Sequence, residues 1–207
     1  MPTQLARLLD AGFEDPPALR WVLLGGAPAP PALLERAAAA GVPVAETYGM
    51  TETASQIVTL GRPLPFASVE LAEDGEIVVA GPTVAGGGPL RTGDLGAWTA
   101  DGRLRVTGRK ADTIVTGGEN VAPQEVESIL AAHPAVADAA VVGRPDPEWG
   151  EALVALLVPR DGDLPSEDDL RAFCRARLAA FKVPKHFEAV GSLPRNPAGK
   201  LTRKDLA

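Results

Sequence analysis

The sequence predicts an α/β layer with a small β unit attached, followed by a compact α+β domain. Three observations point there. Before Pro65, short apolar runs that end at glycine alternate with helical spacing. After Pro65, short strand-like runs separated by Asp-Gly turns take over. Beyond Gly108–Lys110, helices and strands alternate again, which sets an expected boundary there: residues 1–108 in the first part and 109–207 in the second.

The elements follow in order. Leu5, Leu8 and Leu9 give Thr3–Asp10 helical spacing. Trp21–Leu24 is a short apolar run ending at Gly25-Gly26, as a buried strand would. Pro30–Ala40 carries proline early and Gly41 just past its end, the asymmetry of a helix. Val42–Tyr48 is a second strand, and with Trp21–Leu24 it reads as central in a parallel sheet. Ser68–Leu71, Glu76–Val79, Asp94–Trp98 and Leu104–Thr107 are short strands, with Asp74-Gly75 and Asp101-Gly102 as hairpin turns. Pro123–Ala132 is a helix whose start is favoured by Gln124, Glu125 and Glu127. Ala135–Val142 and Ala152–Val158 are strands, and Ser166 with Asp169 forms a capping pair before a helix over Leu170–Phe181.

The chain has 207 residues, 45% hydrophobic, with a net charge of −7. That supports a buried core and argues against phosphate-driven nucleic-acid binding. Gly and Pro, 22 and 20 residues, imply many tight turns. Cys174 is alone and only two histidines are present, so neither a disulfide nor a multi-histidine metal centre is expected. No apolar run approaches the roughly 20 residues of a membrane span. The N-terminus lacks a signal-peptide pattern, so a cytoplasmic protein without membrane or nucleic-acid partners is expected. The last 26 residues hold six basic and two acidic side chains. Such a tail suits contact with an anion, or simply solvation.

Four segments could carry chemistry. Tyr48-Gly49-Met50-Thr51-Glu52-Thr53 follows a predicted strand: a threonine hydroxyl can donate to a phosphate oxygen and a glutamate can hold Mg²⁺, though an ordinary turn before a capped helix would look the same. Arg91-Thr92-Gly93-Asp94 offers an aspartate able to accept two hydrogen bonds from a ribose diol, or merely a turn residue. Gly108–Asp112 leads into a loop containing Gly117-Gly118, where backbone can approach a ligand closely. Pro194–Lys200 sets one lysine on a Gly/Pro-rich loop, either a solvated tail residue or a compact cation for developing negative charge.

In order and spacing these segments resemble the adenylate-forming superfamily of acyl-CoA synthetases, peptide-synthetase adenylation domains and luciferases. Gly25-Gly26-Ala27 is similar to the family's adenine-site segment, Tyr48–Thr53 to its Y-G-x-T-E motif and Thr92–Asp94 to its T-G-D motif. Gly108–Glu127 resembles its hinge and loop, His133–Glu151 its C-terminal domain, and Leu193–Lys200 its terminal lysine motif. Within the family, Thr51–Ile57 and Leu24–Pro30 look most like acid–CoA ligases acting on o-succinylbenzoate in menaquinone synthesis.

The resemblance implies the C-terminal part of a large AMP-binding domain, then a small mobile α+β domain. It implies ATP, Mg²⁺ and coenzyme A, with a small carboxylic acid as the further substrate. Thr51 would contact phosphate and Glu52 would hold Mg²⁺. Gly25, Gly26, Ala27, Tyr48, Gly49 and Met50 would border the nucleotide, Asp94 would bind the ribose, and Arg109 would support the ribose–phosphate region. Lys200 would stabilise adenylation, the small domain would rotate about Ala111, and Gly117 and Gly118 would line the pantetheine path.

Two departures stand out. The hinge position, often Asp or Lys in the family, is Ala111. The Ser/Thr/Gly-rich phosphate loop that precedes the Y-G-x-T-E motif in the family is absent, so a C-terminal portion of such an enzyme is expected, inactive or weakly active alone and prone to associate through exposed strand edges. A non-catalytic nucleotide- and pantetheine-binding module and a peptide-synthetase adenylation domain are the alternatives. Cys174 is expected in the core, His133 at a helix C-terminus as a cap, His186 in a structural role, and Trp21, Trp98 and Trp149 as separate packing anchors.

Overall fold

The computed structural model describes residues 1–197 and 199–206 and divides into two compact units, Met1–Thr107 and Gly108–Ala207. The first unit opens with α1 (Pro2–Asp10), β1 (Val22–Leu24), α2 (Pro31–Ala39) and β2 (Val44–Gly49). Strands β1 and β2 run parallel, with Val22 opposite Val44. The crossover helix α2 begins on Pro31, where the missing amide hydrogen costs nothing. Helices and strands close on Leu5, Leu24, Leu33, Ala37 and Val42. Strands β3 (Gln56–Thr59) and β4 (Arg62–Pro63) extend this sheet, β3 pairing antiparallel with β2.

A second four-stranded sheet runs in the order β5 (Ser68–Leu71), β6 (Glu76–Ala80), β7 (Leu90–Trp98), β8 (Leu104–Arg109). Gly75 and Gly102 sit at positive φ in the connecting turns, as the Asp-Gly signals require. Ile57 and Val58 of β3 share a core with Ile77, Val79, Val84 and Leu104, so the two sheets of this unit are packed through one apolar cluster.

The second unit is built on β12 (Gly150–Pro159), flanked by a long antiparallel β11 (Val136–Asp146) and a parallel β13 (His186–Ala189). A hairpin of β9 (Ile114–Thr116) and β10 (Glu119–Val121) joins the end of β12, and helices α3 (Pro123–Ala131) and α4 (Glu167–Arg175) complete the unit. Alternation along β12 separates two cores. Leu153, Ala155 and Leu157 face Val126, Leu130, Leu170 and Cys174, whereas Val154 and Leu156 meet Ala140 and Leu193.

Several elements depart from expectation. Helix α4 begins at the Ser166 cap, whose hydroxyl accepts the Asp169 amide at 3.2 Å, but it stops at Arg175. The sequence Ala176–Ala180 favours helix, yet the chain must double back to place β13 beside β12, and this tertiary demand prevails over propensity. Leu178 and Phe181 still reach the α4 core from the following loop. Strand β7 begins at Leu90 rather than Asp94, because a bulge interrupts its pattern. Trp21 and Trp98 are not packing anchors: they are 55% and 41% exposed, one preceding the edge strand β1 and the other ending β7. His133 does not cap the carbonyls of α3. Its Nδ1 accepts the Ala135 amide at 3.2 Å and its ring meets Phe173 edge-on at 4.7 Å.

Candidate active site

In the first unit, two candidate segments meet in one shallow groove of about 290 Å³, lined by Leu23, Gly26, Thr47, Gly49, Met50 and Gln56. Glycine is needed at both ends of it. A Cβ on Gly25 would lie 2.5 Å from the Thr47 hydroxyl, and one on Gly49 would lie 2.2 Å from the Ser55 carbonyl oxygen. The chain after β1 and the end of β2 therefore approach backbone to side chain and backbone to backbone, leaving polar main-chain groups beside the groove. Ala27 follows directly, half-buried.

Thr51 and Glu52 stand exposed on the 3₁₀ turn Thr51–Thr53. The next residue, Thr53, is fully buried and pins the turn. Its hydroxyl accepts the Met50 amide at 3.0 Å and donates to the Ser55 carbonyl at 2.6 Å. The Glu52 carbonyl accepts the Ala85 amide at 2.8 Å, anchoring the turn from a second side. Ala54 closes it at φ +60°, a left-handed conformation that costs energy in a residue with a Cβ. Thr53 was legible as part of the motif, but its anchoring role was not.

Asp94 lies in the middle of β7, 6% exposed, and the Tyr48 hydroxyl donates to its Oδ2 at 2.9 Å. This bond joins the Tyr48–Thr53 segment to the Thr92–Asp94 segment across 46 residues of sequence.

In the second unit, Lys200 is exposed on a hairpin closed by the bridge between Arg195 and Leu201. The Asn196 side chain accepts the Lys200 amide at 2.9 Å, and the Arg195 guanidinium donates to the Gly199 carbonyl at 2.8 Å while gripping Asp138 through both carboxylate oxygens. Ala198, in the same predicted loop, lies outside the described residues. Arg195 and Asn196 hold the loop, yet sequence reading singled out only Lys200; the Asn-x-x-Gly-Lys spacing was the available signal.

Three of the six basic side chains of the tail are paired with acids within the second unit. Lys182 pairs with Glu125 at 2.7 Å, Arg195 with Asp138 at 2.7 Å, and Arg203 with Glu127 at 2.8 Å and Asp112 at 3.1 Å. Burial pushes the Glu127 carboxyl up, and the adjoining Arg203 opposes that shift.

Arg109, exposed, ends β8, and Ala111 is exposed in the 3₁₀ turn Lys110–Asp112. Asp112 beside it accepts from Gln124 at 2.9 Å and from Arg203. Gly117 and Gly118 form the two-residue turn between β9 and β10, at φ +57° and +82°, the backbone such a hairpin requires. Gly117 is covered by the Trp149 ring, on whose face the Lys185 ammonium sits at 3.8 Å. The structure thus explains both glycines by turn geometry. Cys174 is fully buried, with its thiol pushed up to about 11 by desolvation.

Among the described residues no helix is long and apolar enough to cross a membrane, and no cluster of three or more His, Cys, Asp and Glu side chains could hold a metal alone.

Comparison with known proteins gives a consistent picture. Residues 1–87 match the AMP-binding enzyme family and residues 125–200 match the AMP-binding enzyme C-terminal domain. A 2–succinylbenzoate–CoA ligase of Bacillus cereus is 42% identical over 92% of this chain and 47% of its own length. The o-succinylbenzoate CoA synthetase of Bacillus subtilis, solved with its acyl-adenylate intermediate, is 40% identical, with a TM-score of 0.85 over 99% of this chain and 49% of that one. An amide bond synthetase from Marinactinospora thermotolerans is 34% identical, with a TM-score of 0.88 over 99% of this chain and 50% of that one. The chain spans about half the length of the relatives it matches. With both family matches falling in order along the chain, and 42% identity sustained over 92% of it, the protein belongs to the AMP-binding enzyme family of adenylate-forming proteins.

Proposed function

We propose that this chain carries the nucleotide-binding and acyl-transfer residues of an ATP-dependent acid–CoA ligase, with o-succinylbenzoate as the acid. In the first step a carboxylate oxygen attacks the α-phosphorus of ATP, and pyrophosphate leaves. In the second the thiol sulfur of coenzyme A attacks the acyl carbon, and AMP leaves. The observation that carries this reading is the Tyr48–Asp94 hydrogen bond, which draws the candidate phosphate turn and the candidate ribose aspartate into one unit.

In this reading Gly25, Gly26 and Ala27 border the adenine with Tyr48, Gly49 and Met50. Asp94 accepts the ribose hydroxyls, Arg109 supports the ribose–phosphate region and Thr51 donates to phosphate. Mg²⁺ is commonly held by one or two carboxylates together with phosphate oxygens. Glu52 fits that demand, as an exposed carboxylate on a turn fixed from two sides. The metal would draw charge from the departing pyrophosphate. Lys200 supplies a compact cation to the charge gathering at the α-phosphate, a preorganised donor of the kind that contributes most to such steps. Gly118, with open space around it, offers its main chain to pantetheine, Gly117 lies beside it under the Trp149 ring, and the hinge lies at Ala111.

Carboxylate-dependent release of pyrophosphate from ATP tests the reading. Because the chain spans about half the length of its relatives and is expected to be inactive or weakly active alone, the assay is run on a protein of the relatives' full length that carries these residues. Release with o-succinylbenzoate above that with benzoate supports the reading, and no carboxylate-dependent release contradicts it. Likeness to an amide bond synthetase supports a second reading, in which an amine rather than a thiol takes the acyl group. Supplying acyl-adenylate with coenzyme A or with an amine separates the two.

A further inference from the structure

We infer that Glu76 is a positioning residue that sets the orientation of Asp94 toward the ribose; the inference rests on the ribose-binding reading of Asp94 given above. It starts from the register of β6 and β7. Val79 opposes Leu90 and Val78 opposes Arg91, so a regular ladder would set Glu76 against Gly93. Instead Glu76 opposes Leu95. Two extra residues are accommodated, and the single residue Ile77 faces Thr92, Gly93 and Asp94 together.

Such a bulge strips main-chain donors of their ladder partners, and inside a sheet these must be satisfied otherwise. Side chains do it here. Glu76, only 4% exposed, turns its carboxylate into the bulge, where Oε1 accepts the Gly93 amide at 3.0 Å. Its Oε2 accepts from Arg91 at 2.6 Å, and Arg91 also reaches Asp74 at 3.1 Å. The Thr92 hydroxyl donates to the Ile77 carbonyl at 2.8 Å and accepts the Asp94 amide at 3.1 Å. Gly93 takes φ +72°, open to glycine without strain.

The carboxylate of Glu76 therefore replaces the missing strand partner on one side of Asp94, and the Arg91 latch fixes that carboxylate. A carboxylate buried this deeply is retained only when its acceptor sites are used. Here they are spent on the two residues before and after Thr92, so they set the path of the backbone that delivers Asp94 to Tyr48. Glu76 touches no substrate in this scheme; it acts through Asp94.

The test measures binding of AMP and of 2′,3′-dideoxy-AMP by calorimetry to the protein and to its Asp94→Asn, Glu76→Ala and Glu76→Gln variants. The unsubstituted protein should prefer AMP by about tenfold or more, the scale of hydrogen bonds to a charged group. Asp94→Asn should lose most of that preference. Glu76→Ala should lose it too while keeping its affinity for dideoxy-AMP, which a general folding defect would reduce in parallel. Glu76→Gln keeps an acceptor for Gly93 but repels the Arg91 latch, so its preference should fall several-fold; it also serves if the alanine variant does not fold. A preference lost in Asp94→Asn but intact in both Glu76 variants overturns the inference and leaves the ribose reading standing. Parallel loss of both ligands in the Glu76 variants also overturns it. No preference in the unsubstituted protein removes the ribose reading itself, and the inference with it.

Discussion

Arg203 and Asp112 stand 91 residues apart in sequence, yet the guanidinium Nε lies 3.1 Å from the Asp112 carboxylate. The same guanidinium donates to Glu127 at 2.8 Å and to the Val141 carbonyl at 3.0 Å. Because Arg203 follows Lys200 by one turn of chain and Asp112 follows Ala111 directly, this cluster ties the lysine hairpin to the segment just after the candidate hinge.

Arg203→Met should destabilise the protein by about 2–4 kcal/mol in urea unfolding, since it leaves the largely buried Glu127 without its cation. A loss below about 0.5 kcal/mol would mean the pair is solvated in solution.

Glu127 also gives a pH signature. Burial raises its folded pKa, so the folded state binds its proton more readily than the unfolded chain. Stability contributed by that protonation is present at low pH and is lost as pH rises from the ordinary carboxylate range through the raised value. Glu127→Gln should flatten this part of the stability–pH curve. An unchanged slope would assign it to other carboxylates.

Thr53→Val keeps the shape of a fully buried side chain and removes its hydroxyl, leaving the Met50 amide without its acceptor. The expected cost is about 1–3 kcal/mol, together with weaker binding of ATP as the Thr51–Glu52 turn loosens. Loss of stability with nucleotide affinity unchanged would separate Thr53 from the site.

Strand β1 presents Leu23, 55% exposed, at the edge of its sheet, next to the equally exposed Trp21. Open apolar edges template strand pairing. Leu23→Lys should shift sedimentation toward monomer and reduce binding of an apolar dye. Identical sedimentation profiles would show that the edge does not drive association.

Cys174 is fully buried with its thiol pKa raised to about 11, so little reactive thiolate forms near neutrality. Alkylation by iodoacetamide should be negligible in the folded protein and complete in urea. Rapid labelling under native conditions would mean the α4 core opens.

How far the sequence was readable depends on the distance over which each feature is decided. The α2 start at Pro31, the Ser166 cap and the Gly117-Gly118 turn are local, and each was legible. The end of α4 was not, because it is set by where β13 must go rather than by Ala176–Ala180. Tyr48, Asp94 and Lys200 were visible as parts of ordered motifs. Glu76, Thr53, Arg195 and Arg203 were not, since their partners are fixed by a bulge register or by contacts up to 91 residues away. The exposed Trp21 and Trp98 show the converse: aromatic bulk alone does not reveal whether a neighbour exists to cover it.

In the proposed function Lys200 serves adenylation as a preorganised cation, and acyl transfer should then proceed without it. In a protein of the relatives' full length that carries these residues, both half-reactions should be measured separately for Lys200→Ala: pyrophosphate release from ATP and o-succinylbenzoate, and conversion of supplied acyl-adenylate by coenzyme A. Removing one such donor typically costs about 10²–10³ in rate. That loss is expected in the first half-reaction with the second near normal, and Arg should rescue poorly because its planar fork differs from a compact ammonium. Equal losses in both half-reactions, or none in either, would contradict this role of Lys200.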